Sequence, residues 1–214
     1  MTRTPSTPSR ADEHYFTERP RSPRRETEFQ IELRGHLFRF LTDAGVFSHA
    51  RLDRGTELLI QAMEIADSDA VLDLGCGYGS IGIVAAMLAP KGQVYLVDPN
   101  ARAVELAKRN LERNEVDNAS VLHGPGYQPV SDLGFDVIIT NPPIRAGNRV
   151  VFELIEQSAQ HLQPDGHFYL VARTRQGADT LEKKIRQYFA QVLIVKRGGG
   201  YRVFRAKNPL RETS

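Results

Sequence analysis

The chain has 214 residues, of which 41% are hydrophobic and 25% charged, and its 28 basic and 26 acidic side chains leave a formal net charge of +2. Such a composition is that of an ordinary soluble globular protein, and it excludes nucleic-acid binding through overall charge, so that any such binding requires a local basic patch. The single cysteine, Cys76, excludes an internal disulfide, and no apolar run approaches the ~20 residues that span a bilayer, which together predict a cytoplasmic protein without a membrane segment.

The first 66 residues precede the regular pattern of the rest of the chain. Residues 1–25 are rich in Thr, Pro, Ser and Arg, so we predict a disordered tail, and they lack the apolar core of a secretory signal. Residues 26–66 are predicted to form an extension made of a hairpin and a helix. Alternating aromatic and polar residues on both sides of Gly35 indicate the hairpin, and apolar spacing indicates the helix over 56–66.

Short apolar runs then alternate with amphipathic stretches over residues 67–208, which we predict to be the main domain. In chain order the predicted elements are strand 70–74, helix 80–88, strand 94–98, helix 101–113, strands 120–122 and 135–140, helix 150–162, strand 167–171, helix 178–189, and strands 192–195 and 201–204. Apolar strands separated by helices predict an α/β fold with a mostly parallel sheet covered on both faces. The last two strands flank Gly198–Gly200 and predict a closing antiparallel pair.

A glycine-rich turn, Asp73–Gly79, follows the first strand of this domain and opens its first helix. Gly75 and Gly77 allow a sharp turn and leave room for a ligand. Asp98 ends the next strand, where a carboxylate can accept both hydroxyls of a ribose. The spacing G-x-G-x-G differs from the G-x-G-x-x-G of dinucleotide sites, although a dinucleotide site or a turn that serves packing alone stays open.

A second motif, Asn141-Pro142-Pro143, directly follows the strand over 135–140. Two prolines cannot continue a β-ladder, so the strand ends there with an Asn amide and unpaired carbonyls at the edge where α/β sheets bind ligands. These acceptors suit a planar NH2 group with two protons to donate. A proline-terminated strand with a capping Asn is the alternative.

The two motifs together resemble those of class I methyltransferases that act on amino groups. The resemblance implies S-adenosylmethionine (AdoMet) as the cofactor, with these cofactor-binding residues: Asp73, Gly75, Gly77, Gly79, Asp98, Pro99 and Asn141. It also implies catalysis by Asn141 and Pro142: the Asn oxygen and the Pro carbonyl each accept one N–H, which aims the nitrogen lone pair at the methyl group and stabilises the charge that develops. None of the six histidines has metal-ligand spacing, so no metal is predicted.

The chain departs from the class pattern at two places. The position after Asn-Pro-Pro is usually aromatic and here is Ile144, so the target base is expected between Ile144 and Phe47, with Pro143 and Arg145 as further substrate contacts. The segment 123–127 lacks the carboxylate that often binds the adenine amino group, which leaves adenine recognition to backbone groups.

A finer resemblance covers most of the chain. His14-Tyr15-Phe16, Gly45-Val46-Phe47-Ser48, Asp53-Arg54-Gly55-Thr56 and the segment 141–147 resemble the C-type guanine-N2 methyltransferases of small-subunit ribosomal RNA, the methyltransferase small domain group. This resemblance implies a seven-stranded Rossmann-like sheet and formation of N2-methylguanosine. The implied partner is ribosomal RNA or an assembling small ribosomal subunit.

Local basic residues offer modest support for RNA binding. Arg145 and Arg149 lie next to the predicted site, where the phosphate of a flipped nucleotide would pass. A basic C-terminal stretch with interleaved aromatic residues is a second candidate, and its charged members are Lys196, Arg197, Arg202, Arg205, Lys207 and Arg211. A solvated strand face is the alternative for this stretch.

Other functions stay open at this point. The same site could methylate adenine N6 or a protein glutamine, although Ile144 counts against both. A non-catalytic RNA-binding module of the same fold is favoured by the missing carboxylate and opposed by intact Asp73, Asp98 and Asn141. A nicotinamide-dependent dehydrogenase is disfavoured by the glycine spacing, and the oligomeric state is open.

Overall fold

The structure is a computed structural model that describes residues 25–43, 46, 51–142 and 148–210. Its strands and helices alternate in the predicted order. They are β1 (Glu26–Leu33), β2 (His36–Asp43), α1 (Arg54–Ala62), β3 (Ala70–Leu74), α2 (Ser80–Leu88), β4 (Gln93–Asp98), α3 (Ala101–Arg113), β5 (Ala119–His123), β6 (Phe135–Thr140), α4 (Asn148–His161), β7 (Leu162–Arg173), α5 (Ala178–Ile185), β8 (Phe189–Gly198) and β9 (Tyr201–Pro209). Of the tail predicted to be disordered, residues 1–24 lie outside the described residues.

Strands β3 to β9 form one seven-stranded sheet in the order β5-β4-β3-β6-β7-β9-β8. The neighbours β5-β4, β4-β3, β3-β6 and β6-β7 run parallel. Strand β9 is antiparallel to both β7 and β8, and β1 and β2 form a separate antiparallel hairpin. The predicted α/β fold, with its mostly parallel sheet, C-terminal antiparallel pair and N-terminal hairpin, is confirmed.

The order of the strands reverses beside β3. From β3 the chain builds outward through β4 and β5, and β6 then returns to pair with the other edge of β3. Leu74 and Thr140, the last residues of β3 and β6, lie side by side in the parallel register. Because a crevice opens at the carboxyl ends of strands at such a reversal, the glycine turn and Asn141 start from neighbouring positions at a ligand-binding edge.

Both faces of the sheet are covered by helices. Successive side chains of a strand point to opposite faces, so Val71 packs with residues of the hairpin and of α1, α2 and α3, whereas Leu72 packs with residues of α4 and α5. Leu59 and Ile83 on the first face and Ile155 on the second are fully buried. The edge that carries the two motifs is therefore supported by packed side chains on either side.

The hairpin of β1 and β2 turns at Arg34 and Gly35, as predicted for Gly35. Both residues have positive φ, 53° and 83°, and Leu33 pairs directly with His36. Positive φ at two central residues is the pattern of a type I′ turn, whose twist matches that of the strands. The hairpin then places Phe40 against Tyr78 of the glycine turn, with ring centroids 5.7 Å apart.

Several helix ends differ from the predicted bounds. Helix α1 begins at Arg54 because Asp53 caps it, with Oδ2 accepting the backbone N–H groups of Gly55 and Thr56. Helix α5 ends at Ile185, not at Phe189, because Phe189 opens β8 and stacks on Phe168 with ring centroids 5.6 Å apart. Within the described ranges no helix is both long and apolar enough to cross a membrane.

Asn110 of α3 and Asn114, the residue that caps the C-terminal end of α3, hold the hairpin against the sheet domain. Oδ1 of Asn110 accepts the backbone N–H of Leu41 at 2.7 Å, and Nδ2 donates to the carbonyls of Leu41 at 2.9 Å and Tyr78 at 2.8 Å. One turn later, Asn114 makes the same pair of bonds to the backbone of Arg39, at 3.0 and 2.9 Å. Asn110 is fully buried, whereas the bonds of Asn114 to β2 lie at the surface.

Replacing Asn110 by alanine is expected to lower the free energy of unfolding by about 2–4 kcal/mol, because one buried N–H and two carbonyls lose their partner. The melting temperature should fall by roughly 5–15 °C. Asn114→Ala is the matched control, since water can replace its exposed bonds, and it should cost under about 1 kcal/mol. Thermal denaturation of both variants tests this, and equal losses would contradict the assigned role of Asn110.

Candidate active site

The glycine turn leaves β3 through three left-handed residues. Gly75, Gly77 and Gly79 have φ of 71°, 57° and 92°, a region that residues with a side chain rarely adopt. The N–H groups of Gly75 and Cys76 donate to the carbonyl of Val97 at 2.8 and 3.1 Å, which ties the turn to β4. The path of the backbone through this turn therefore favours glycine at these three positions.

The three glycines differ in what surrounds them. A Cβ atom on Gly75 would have none of the described atoms within 4 Å, and one on Gly77 would meet only Val46, at 3.9 Å. A Cβ on Gly79 would instead lie 3.2 Å from both Ala107 and Leu96. Gly75 and Gly77 therefore face open space that a ligand can use, whereas Gly79 faces the packed core.

Cys76 lies inside this turn and is buried. Burial and the nearby carboxylates of Asp98 and Asp73 raise the pKa of its thiol well above the ordinary value. A thiol that keeps its proton is a poor nucleophile, so this side chain serves packing and not catalysis.

Asp98 joins the end of β4 to the glycine turn. Its Oδ2 accepts the N–H of Gly77 and its Oδ1 accepts the N–H of Asn100, each at 2.8 Å. Each carboxylate oxygen retains a further lone pair. Burial raises the pKa of Asp98 to about 6, while the two backbone N–H groups and His123 act in the opposite direction.

Asp73 lies beneath the turn and is fully buried. Its Oδ2 accepts the N–H of Gly82 in α2 at 2.8 Å, and its Oδ1 has no partner among the described residues. Burial raises the pKa of Asp73 to about 7. The hydrogen bond from Gly82 lowers this pKa, and the nearby charge of Asp98 raises it further. A buried acceptor without a partner and a second raised carboxyl beside it favour a ligand that brings positive charge or hydrogen-bond donors.

A cleft of about 990 Å³ opens above this edge of the sheet. Gly75, Asp98 and Pro99 line it on one side, the segment from His123 to Ser131 contributes its next wall, and α4 closes the far side. This volume is that of a site for a nucleoside-sized molecule. The carboxylate of Asp98 is one of its polar lining groups, and the open position at Gly75 gives a ligand access to the backbone.

Asn141 follows β6 directly beside the glycine turn. Thr140 donates its hydroxyl to the carbonyl of Leu74 at 2.9 Å, which binds the two strand ends together. The Nδ2 group of Asn141 donates to Oγ1 of Thr56 at 2.8 Å and lies 3.4 Å from Oδ2 of Asp53. The Asn141 oxygen is therefore directed away from these two partners, and none of the described residues donates a hydrogen bond to it.

A polar cluster behind Asn141 was not predicted to have a role. Asp53 caps α1 through Oδ2, and its Oδ1 accepts the hydroxyl of Tyr201 at 3.1 Å. The guanidinium of Arg173 lies 5.0 Å from the centre of the Tyr201 ring. The sequence signals the cap, because Asp53 stands just before a run with helical apolar spacing, but it gives no sign that β9 reaches this cap.

Comparison with known proteins shows the family to which the chain belongs. A family model, the methyltransferase small domain, matches residues 37–205. The chain belongs to this family of methyltransferases. It is 37% identical over 197 residues to the uncharacterized protein YbxB of Bacillus subtilis (strain 168), covering 91% of this chain and 98% of that protein.

Two further relatives of this methyltransferase carry more specific names. Ribosomal RNA small subunit methyltransferase C of Haemophilus influenzae (strain PittGG) is 38% identical over 172 residues, covering 77% of this chain and 49% of that protein. The 16S rRNA N2 methyltransferase RsmC of T. thermophilus, solved with AdoMet and guanosine, superposes with a TM-score of 0.77 at 26% identity, covering 86% of this chain and 50% of that one. The chain thus spans about half the length of these two relatives and nearly all of YbxB.

The predicted cofactor is confirmed: this methyltransferase uses AdoMet. The described residues fit it on three observations. The cleft accepts a nucleoside-sized molecule, the Cβ position of Gly75 is open, and the Asp98 carboxylate in the cleft wall keeps free lone pairs on both oxygens. AdoMet brings a cationic sulfonium and an ammonium group, which suit a site with two buried carboxyls.

Affinity for AdoMet is expected to fall as the pH decreases from 8 to 5. Burial raises the pKa of Asp98 to about 6, so below that pH the free protein holds a proton that must leave before the carboxylate can accept ribose hydroxyls. The dissociation constant should then rise about tenfold for each pH unit below 6. Isothermal titration calorimetry across this range measures it, and a dissociation constant that does not change with pH would contradict the role of Asp98.

The structure brings most predicted site residues to one edge of the sheet. Those that lie there are Asp73, Gly75, Gly77, Gly79, Asp98, Pro99, Asn141 and Pro142. Of these, Gly75, Asp98 and Pro99 line the cleft, whereas Asn141 and Pro142 lie at the neighbouring strand end outside its described lining. The four predicted substrate contacts, Phe47, Pro143, Ile144 and Arg145, lie outside the described residues. In the part of the chain that is described, no group of three or more His, Cys, Asp or Glu could hold a metal ion.

Proposed function

We propose that this methyltransferase acts on the exocyclic N2 amino group of a guanine in small-subunit ribosomal RNA. The observation that carries the proposal is the orientation of Asn141, whose amide nitrogen is engaged by Thr56 so that its oxygen is left to accept an N–H. The names of its relatives from Haemophilus influenzae and T. thermophilus support an RNA substrate and the N2 position.

The chain's own residues would act by holding the amino group. AdoMet supplies an electrophilic methyl group, so no side-chain nucleophile is needed. The Asn141 oxygen and the Pro142 carbonyl each accept one N–H of the base, which directs the nitrogen lone pair out of the ring plane and toward the methyl carbon. As the N–C bond formed and the bond from the methyl carbon to the sulfonium sulfur broke, releasing the neutral thioether S-adenosylhomocysteine, these two acceptors would stabilise the positive charge on nitrogen, and a proton would then leave to solvent.

The remaining predicted site residues would bind the cofactor or support the glycine turn. Asp98 would accept the ribose hydroxyls, because both of its oxygens are fixed by backbone N–H groups and still hold free lone pairs. Gly75 and Gly77 would let the cofactor approach the backbone, and Pro99 would contact it from the wall of the cleft. Asp73 and Gly79 would support the turn from below, where both face the core.

Basic residues near this edge support an RNA partner only in part. Arg202 is paired with Asp179 and Arg205 with Glu64, each at 2.6 Å, so part of the C-terminal basic stretch is already neutralised. Arg197 remains exposed on β8. RNA binding by the basic stretch stays a prediction. A cytoplasmic location is also a prediction, because the proposed substrate is found where ribosomes assemble.

Methyl transfer from labelled AdoMet tests the proposal. The purified protein is incubated with unmodified small-subunit ribosomal RNA, with assembled small subunits and with ribosomal proteins, and the labelled product is digested to nucleosides or amino acids. Label in N2-methylguanosine is the expected result. Label in methyladenosine or in methylglutamine would overturn the proposed substrate while keeping the class of reaction, and absence of AdoMet binding would instead indicate a non-catalytic module.

A further inference from the structure

The carboxamide of Asn141 has a defined orientation because of what lies behind it. The two ends of an asparagine amide are told apart by their hydrogen-bond partners, and a carboxylate can only accept. Asp53 lies 3.4 Å from one end, and the hydroxyl of Thr56 lies 2.8 Å from the same end. That end must be the NH2 group, and the oxygen must face the other way.

Asp53 and Thr56 are themselves held in place. Asp53 accepts the N–H groups of Gly55 and Thr56 at 2.8 and 3.2 Å, as the cap of α1, and the hydroxyl of Tyr201 at 3.1 Å. Thr56 is buried, with 4% of its surface exposed, so its hydroxyl has few alternatives to Asn141. The cap therefore forms a rigid support.

Tyr201 reaches Asp53 because position 55 has no side chain. A Cβ on Gly55 would lie 2.7 Å from the Tyr201 ring, which is closer than real contacts allow. Burial, followed by the charge of Asp53, raises the pKa of Tyr201, so its hydroxyl keeps the proton that it donates. Within four residues, Asp53 thus supplies an acceptor for Tyr201, Gly55 leaves room for the Tyr201 ring, and Thr56 supplies a hydroxyl for Asn141.

We infer that Thr56 and Asp53 are positioning residues, which keep the Asn141 oxygen directed toward the amino group of the substrate. Without them, the amide can rotate by half a turn about its Cβ–Cγ bond and present NH2 to the substrate. Two NH2 groups facing each other repel, so the substrate nitrogen would lose one of its two acceptors. The part of this inference that concerns the substrate rests on the proposed function.

Two variants of Thr56 separate positioning from packing. Thr56→Val keeps the shape of the side chain and removes the hydroxyl, whereas Thr56→Ser keeps the hydroxyl and removes a methyl group. We expect kcat for methyl transfer to fall about tenfold or more in Thr56→Val, the effect of one lost buried hydrogen bond, with the Kd for AdoMet changed by less than about twofold. Thr56→Ser should keep most of the wild-type kcat.

The NMR signals of the Asn141 side-chain NH2 group give a second readout that needs no substrate, and Asn141→Ala identifies them by their loss. In the wild type and in Thr56→Ser these protons should exchange slowly with water, and in Thr56→Val the signals should shift and exchange faster. Unchanged signals in Thr56→Val, or changed signals with an unchanged kcat, would overturn the inference. If the wild type methylates no RNA, the proposed function fails, and the NMR comparison alone decides the orientation of the amide.

Discussion

Replacing Asn141 by alanine is expected to lower kcat for methyl transfer by about 10²-fold or more, because the amino group loses an acceptor that is aimed at the developing charge. Asn141 stands at the end of β6, beside the glycine turn, with its amide nitrogen bound to Thr56 at 2.8 Å. Although Asn141 is also among the predicted cofactor contacts, the other predicted contacts, at the ends of β3 and β4, keep their hydrogen bonds in this variant, so the Kd for AdoMet should change by less than about twofold. Steady-state kinetics at saturating AdoMet and calorimetric titration measure the two quantities.

Asn114→Ala is the control for this variant. It removes an amide of the same size that bonds to the backbone of β2 and does not line the cleft, and it should leave kcat unchanged. A loss of AdoMet affinity in Asn141→Ala as large as its loss of kcat would show that Asn141 binds the cofactor and not the amino group. Full activity in Asn141→Ala would show that the Asn141 side chain has no role in methyl transfer.

Asp98→Ala is expected to raise the Kd for AdoMet by roughly 10²-fold or more. The carboxylate would make two charge-assisted hydrogen bonds to ribose, and each is worth about 1.5–3 kcal/mol. It also fixes the N–H of Gly77, so the turn loses one of its ties to β4. Because these interactions act on binding and not on the reacting atoms, kcat should recover toward the wild-type value when AdoMet is saturating.

Asp136→Asn is the matched control for Asp98→Ala. Oδ2 of Asp136 accepts the N–H of Ala70 at 2.8 Å, a bond of the same kind at the opposite end of the sheet. That variant should leave the Kd for AdoMet unchanged, whatever it does to stability. An unchanged Kd in Asp98→Ala would place the ribose elsewhere in the cleft.

The sequence predicted the sheet and its two motifs well, because both depend on local patterns. Helices 80–88 and 101–113 and the strand over 135–140 have the predicted bounds, since an apolar run and a cap or a glycine mark each end. The left-handed φ of Gly75 and Gly77 follows from a tight turn between strand and helix. In a parallel sheet such a turn lies at the carboxyl ends of the strands, where the sequence predicts the cofactor site.

The surroundings of Asn141 could not be predicted in the same way. Its partners Asp53 and Thr56 are 88 and 85 residues away in the chain, and Tyr201 is 148 residues from Asp53. Such contacts depend on how α1 and β9 meet, for which the hydrophobic pattern has no signal. For the same reason, the apolar pattern of α3 gives no sign that Asn110 is fully buried and bonded to Leu41 of β2.

The measurement that tests the central claim most directly is nucleoside mass spectrometry of small-subunit ribosomal RNA from cells that lack this gene. Deletion should remove one N2-methylguanosine from that RNA, and a plasmid copy of the wild-type gene should restore it while the Asn141→Ala copy should not. Unchanged N2-methylguanosine in the deletion strain, with the RNA otherwise mature, would contradict the proposed substrate.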